Sequence, residues 1–161
     1  MAEVEKLNDS NNRNKSDGGY AIIVSPHPVK GEHLRSALGE YVLPKYSTFE
    51  LLSICDYFVT DYSAVVFEAA AAGKPISIYA YDMDSFSEAR DFYLDIESDL
   101  PAVPRVTAKE IAKEIEDYET KDDDYKNSVM ERVSEFSDRY VVCKENNTRA
   151  VAEIIIELMK K

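Results

Sequence analysis

Residues 57–81 read YFVTDYSAVVFEAAAAGKPISIYAY. Tyr57 to Thr60 is a short apolar run of strand composition. At Asp61-Tyr62-Ser63 the pattern breaks. A helical stretch then runs from Ala64 through Val65, Val66 and Phe67 into an alanine run. Ser63 stands near the N-cap of that helix and Gly73 at its C-terminal stop. Lys74-Pro75 interrupts the chain, and Ile76 to Tyr81 is the next strand. Strands that are continuously apolar, separated by a helix, are the pattern of a parallel sheet covered on both faces.

The same alternation continues outward. On the N-terminal side, Tyr20 to Ser25 (YAIIVS) predicts a buried strand, ended by Pro26-His27-Pro28. A polar stretch follows, with a helical piece at His33–Leu38 and a short strand at Tyr41–Leu43. Ser47-Thr48-Phe49-Glu50 has the spacing of a capping box and opens a helix through Leu51, Leu52 and Cys55. On the C-terminal side, Ser85–Glu88 and Thr107–Glu110 repeat that spacing. Residues 91–106 read as loop with brief extended pieces. Helices are predicted with Ile111, Ile115 and Tyr118 in the first, and with Tyr125, Val129, Val133, Phe136 and Tyr140 in the second, which opens at Asp122-Asp123-Asp124. A last helix opens at Asn147 or Thr148 and carries Val151, Ile154, Ile155 and Leu158 on one face. The expected class is α/β, a Rossmann-like doubly wound parallel sheet spanning residues 20–161, preceded by a polar flexible segment at residues 1–19.

Composition narrows the function. With 19 basic and 31 acidic residues the net charge is −12, which argues against nucleic acid and anionic membrane as general partners. The chain has no apolar run of about 18 residues, so no membrane insertion by this segment is expected. Its first 19 residues lack the apolar core of a signal peptide. Two cysteines, Cys55 and Cys143, lie among apolar neighbours and read as buried free thiols, which implies a reducing, cytoplasmic setting.

In open α/β sheets ligands bind beyond the carboxyl ends of the strands. Two strand ends are chemically rich here. One is Ser25-Pro26-His27-Pro28, where an imidazole could donate to a phosphate oxygen or take a proton near neutral pH. The other is Thr60-Asp61-Tyr62-Ser63, where the amides of Ser63, Ala64 and Val65 have no intrahelical partner and small side chains leave room for a phosphate. A helix-capping Ser63 and a turn histidine at 27 are the plain structural alternatives. His33 reads as solvated. Asp82-Met83-Asp84 has the form of a metal-binding triplet, but turn chemistry explains it equally well. No glycine-rich nucleotide loop, nucleophile elbow or zinc motif is present.

Residues 51–95 carry a more specific signal. Asp61-Tyr62-Ser63-Ala64, Phe67-Glu68, Gly73-Lys74-Pro75, Tyr79, Asp82 and Arg90-Asp91-Phe92-Tyr93-Leu94-Asp95 follow the order DYSS, FD, GKP, Y..D and RGFY.D. This order resembles the CDP-glycerol glycerophosphotransferase family, the teichoic acid primases and polymerases. His27-Pro28 is similar to the family's His-Pro after a strand, and Asn146-Asn147-Thr148 loosely matches its late turn. The departures are Ala64 for the second serine, Glu68 for aspartate, Asp91 for glycine, and Pro101-Ala102-Val103-Pro104 near the place of a usual Pro-Gly.

The resemblance implies the C-terminal, donor-binding lobe of a two-lobed GT-B-type enzyme. The donor would be CDP-glycerol or a related CDP-alditol, and the polymer or lipid-linked acceptor would be held by an N-terminal lobe absent from this chain. His27 would be the catalytic residue. Asp61, Tyr62, Ser63, Ala64, Glu68 and Arg90 would contact substrate, with no metal and no cofactor. Lys74, at the far end of the helix from Ser63, reads as structural or peripheral. A cytoplasmic enzyme, peripheral on the inner face of the cell membrane, is implied, and the chain alone is expected to be inactive. Two alternatives stand beside this reading. One is a nucleotide-sugar glycosyltransferase or epimerase of the same two-lobed fold, separable by CDP against UDP preference. The other is a nucleotide-binding module without turnover.

Overall fold

The computed structural model describes residues 20–25, 46–83, 94–95, 98–141 and 146–160. The chain divides into two units, residues 1–50 and 51–161. In the first unit Val24 forms an isolated bridge, and Tyr20 and Ile22 are exposed. The buried strand expected at Tyr20–Ser25 is therefore reduced to one bridging residue. An apolar run becomes a buried strand only where another layer covers it, and local composition does not supply that layer. Ser25 and Thr48 bring their hydroxyls to 3.4 Å. The elements expected at His33–Leu38, Tyr41–Leu43 and Ser85–Glu88, and the segment 1–19, lie outside the described residues.

Helix α1, Thr48–Ile54, starts as its sequence predicts. The Ser47 amide and hydroxyl both donate to the Glu50 carboxylate, at 2.8 and 2.7 Å, and the Glu50 amide donates back to the Ser47 hydroxyl at 3.3 Å. Those donors, the backbone amide first, hold the Glu50 carboxyl below its usual range.

The sheet of the second unit has three parallel strands in the order β1-β2-β3: Phe58–Thr60, Ile76–Tyr79 and Pro104–Arg105. Thr60 pairs with Ile78, and Tyr79 with Arg105. Between β1 and β2 lies helix α2, Val65–Ala71; after β3 come α3, Ala108–Thr120, α4, Asp123–Tyr140, and α5, Asn147–Met159. The predicted α/β class is what the chain adopts, and residues 104–105 show that a brief extended piece of the 91–106 loop joins the sheet.

Helices cover both faces of the sheet, because successive strand residues point to opposite sides. Ile76 and Ile78 enter a core with Leu52 of α1, Val66, Ala69 and Ala70 of α2, and Val133 and Phe136 of α4. Phe67 stacks on Phe136 at 5.2 Å between ring centroids, and Tyr140 closes the trio at 5.0 Å from Phe136. Ser77 points the other way, to α3. There its hydroxyl donates to Glu114 at 2.5 Å, and Arg105 donates to the second carboxylate oxygen at 2.6 Å. The single Ser77 proton is thus committed to Glu114, so Tyr57, 2.8 Å away, is the donor to Ser77. Burial pushes the Tyr57 phenol up to about 12.

Candidate functional site

The three strands run parallel, so their carboxyl ends gather at one edge of the sheet. That edge carries Asp61–Ser63 after β1, Ala80–Asp82 after β2 and Val106–Thr107 after β3. The first of these turns is built by Asp61. Its carboxylate accepts the Ser63 amide at 2.9 Å, an Asx-type turn that ends the strand. The Ser63 hydroxyl then reaches the Val65 amide at 3.5 Å, while the carbonyls of Ser63 and Ala64 accept the amides of Val66 and Phe67 at 3.1 Å.

The helix start differs from its sequence expectation in two respects. Three donors were expected to be unclaimed; Ser63's is taken by Asp61 and Val65's is loosely held, which leaves the amide of Ala64 with no hydrogen bond among the described residues. Ala64 itself, not Ser63, occupies the N-cap position, in αR geometry and with no side-chain cap. Asp61 takes the amide of Ser63 and the Ser63 hydroxyl takes that of Val65, so neither side chain serves the amide of Ala64. The helix is seven residues long, so its dipole is short and the contacts of individual groups matter more.

The remaining site residues and their motif neighbours separate into two sets. Phe67 is packed in the aromatic trio, and Tyr62 packs against the core. Gly73, with φ of 63°, ends α2: its amide donates to the carbonyl of Ala70 at 3.0 Å, and that of Lys74 to Ala69 at 3.1 Å, a Schellman closure that a side chain at 73 would strain. Lys74 donates its ammonium to the Cys55 carbonyl at 2.9 Å, fastening the end of α2 to the end of α1. Pro75 offers its carbonyl to the Phe58 amide at 2.9 Å. The Gly-Lys-Pro triplet is therefore scaffold, as expected of Lys74 from its place in the sequence. Cys55 is a half-buried free thiol whose pKa burial raises, with Lys74 opposing the shift.

Ala64 and Glu68, by contrast, are exposed, one turn apart on α2. His27, Arg90, Asp84 and Cys143 lie outside the described residues. Among the described residues no group of three His, Cys, Asp or Glu side chains could hold a metal ion. No described helix is long and apolar enough to cross a membrane. A shallow depression of about 320 Å³, lined by Asp56, Tyr57, Tyr118, Glu119 and Lys126, lies at the amino end of β1, away from the carboxyl edge.

The Asp61–Ala64 turn thus sits where an α/β sheet binds ligands, with Val66, Ala69 and Ala70 of the following helix buried and Ala64 and Glu68 exposed. Residues 2–157 match the sequence pattern of the CDP-glycerol:poly(glycerophosphate) glycerophosphotransferases. The chain belongs to that family. It is 28% identical over 140 residues to a teichoic acid ribitol-phosphate primase of Bacillus spizizenii, covering 84% of this chain and 34% of the primase. It is 31% identical over 113 residues to a teichoic acid poly(glycerol phosphate) polymerase of Staphylococcus epidermidis, covering 70% of this chain and 15% of the polymerase. A teichoic acid glycerol-phosphate transferase of Staphylococcus aureus is 43% identical over 53 residues, 32% of this chain and 14% of that protein. The chain therefore spans about a third of the primase and less of the other two. No solved structure matches it.

One exposed residue at this edge went unremarked in the sequence. Tyr81, which ends the expected second strand, is 66% exposed beyond β2.

Proposed function

We propose that this chain is the donor-binding lobe of a two-lobed, GT-B-type transferase that moves glycerol phosphate, or a related alditol phosphate, from a CDP-linked donor to a teichoic-acid-type acceptor. The observation that carries the reading is the coincidence of the family match with an open turn, Asp61–Ala64, at the carboxyl edge of a parallel sheet. In this reading the Ser63 hydroxyl and the Ala64 amide meet the donor diphosphate. Asp61 positions them by holding the turn. Tyr62 and Glu68 flank the same donor. Arg90 supplies the positive charge that Lys74 cannot, since Lys74 is committed to the Cys55 carbonyl at the opposite end of α2.

The reaction is attack of an acceptor hydroxyl oxygen on the β-phosphorus. A new P–O bond forms to the acceptor, the bond to the bridging oxygen breaks, CMP leaves, and the hydroxyl proton is released. His27 stabilises the diphosphate charge or takes that proton. The chemistry draws on no metal or cofactor. The acceptor, a polymer or lipid-linked primer, is held by a second lobe, so this chain alone binds donor without transferring.

The test is titration of the isotopically labelled chain with CDP and UDP, followed by amide NMR. Shifts centred on residues 61–66, larger for CDP, are expected. Shifts centred on α5, or equal response to both nucleotides, overturn the reading.

A further inference from the structure

We propose that Tyr81 is a specificity residue whose ring packs against the alditol that is transferred, not against the nucleotide; this rests on the donor-lobe reading above. Thr60 is paired with Ile78, so the two chains leave the sheet side by side, one into Asp61–Ser63 and the other into Ala80–Asp82. Adjacent strands stand about 4.8 Å apart. Tyr81 shares the α3 side of the sheet with Tyr79, whereas the turn opens α2 on the other side, so a donor seated on the turn meets the ring only where the group esterified to its near phosphate crosses the carboxyl edge of β2. In a CDP-alditol that group is the alditol, bonded directly to the β-phosphate. The cytosine is separated from it by the α-phosphate and a ribose.

The side chain suits the task. Tyr81 is 66% exposed, so packing does not account for a large aromatic there. The Tyr79 ring lies 5.5 Å from it at 41°, which props it from below on its own strand. The negative face of an aromatic ring receives the C–H edges of a polyol. Its phenol makes no hydrogen bond among the described residues and can both donate to and accept from polyol hydroxyls. An aliphatic residue would offer the surface without the hydroxyl.

The experiment measures Kd for CDP and CDP-glycerol by calorimetry on the chain, its Tyr81→Ala variant and its Tyr81→Phe variant, with CDP-induced amide shifts recorded in parallel. CDP-glycerol is expected to bind the parent chain more tightly than CDP by about fivefold. Tyr81→Ala abolishes that difference and leaves the CDP constant unchanged; Tyr81→Phe retains most of it. An exposed position keeps the variant folded, which circular dichroism checks. Equal weakening of both ligands assigns the ring to the nucleotide and overturns the inference. An unchanged ratio in Tyr81→Ala, with CDP still shifting residues 61–66, overturns it while the donor site stands. Absence of CDP-induced shifts at 61–66 removes both.

Discussion

Two helices begin at the same edge of the sheet and are finished differently. At the start of α3, Thr107 and Glu110 close a complete capping box: the Thr107 amide and hydroxyl donate to the Glu110 carboxylate at 3.0 and 2.7 Å, and the Glu110 amide returns a bond at 3.3 Å. At the start of α2 the N-cap residue is Ala64, whose methyl offers no hydrogen-bond acceptor, and Asp61 spends its carboxylate on shaping the turn. The closed start is a structural joint. The open one forgoes the cap's stabilisation of about 1 kcal/mol and keeps an amide available to a ligand. Asp61-Tyr62-Ser63-Ala64, which resembles the DYSS stretch of the family, falls on the open one.

The comparison breaks most visibly if the open start is closed. Ala64→Asp supplies a carboxylate where the donor diphosphate is proposed to lie. Like charges at about 4–5 Å in a partly desolvated site cost enough to weaken CDP binding by roughly a hundredfold. The same substitution supplies an N-cap, so thermal stability stays level or rises. Calorimetric titration and a melt on one sample check both signs. Loss of stability together with unchanged CDP affinity would mean that the open start is not a ligand site.

The reverse experiment removes the closed cap. Thr107→Ala is expected to cost about 1 kcal/mol of stability by denaturant melt and to leave CDP affinity unaltered. A change in CDP affinity as large as that from Ala64→Asp would erase the distinction between the two starts.

The smallest effect is in acid. The Glu110 carboxyl is held below its usual range by the Thr107 hydroxyl and then its amide, and Glu50 likewise by Ser47. A depressed carboxyl contributes stability that is present above its unfolded value, about 4.3, and lost as pH falls through the lower folded value. Carbon NMR titration should give both carboxyls midpoints below about 4.3. Midpoints at or above that value would show that the boxes are not closed in solution.

The helix starts were legible because their chemistry is local. Ser47 and Glu50, Thr107 and Glu110, and Asp122, whose carboxylate accepts the Tyr125 amide at 3.1 Å, act across three residues. The open site was only half legible. Its position after β1 was readable, but the capture of the Ser63 amide by Asp61 depends on how the strand ends in space. Tyr81 was hidden for a similar reason: nothing in YAY distinguishes the ring that the fold leaves outside.

The helices α4 and α5 mark where local information stops. Both carry apolar residues at three- and four-residue steps. In α4, Val129, Val133 and Phe136 are buried; in α5, Val151, Ile154, Ile155 and Leu158 are all at least half exposed. Sequence alone determined that each helix forms, which face is apolar, and where Gly73 must stop α2, because hydrogen bonds and φ preferences act over one turn of chain. Tertiary structure alone decided which apolar face is covered, that Pro104–Arg105 becomes a strand, and that Ser77 meets Glu114 across 37 positions. Burial and strand pairing depend on elements distant in the chain arriving together, and no window of sequence contains them both.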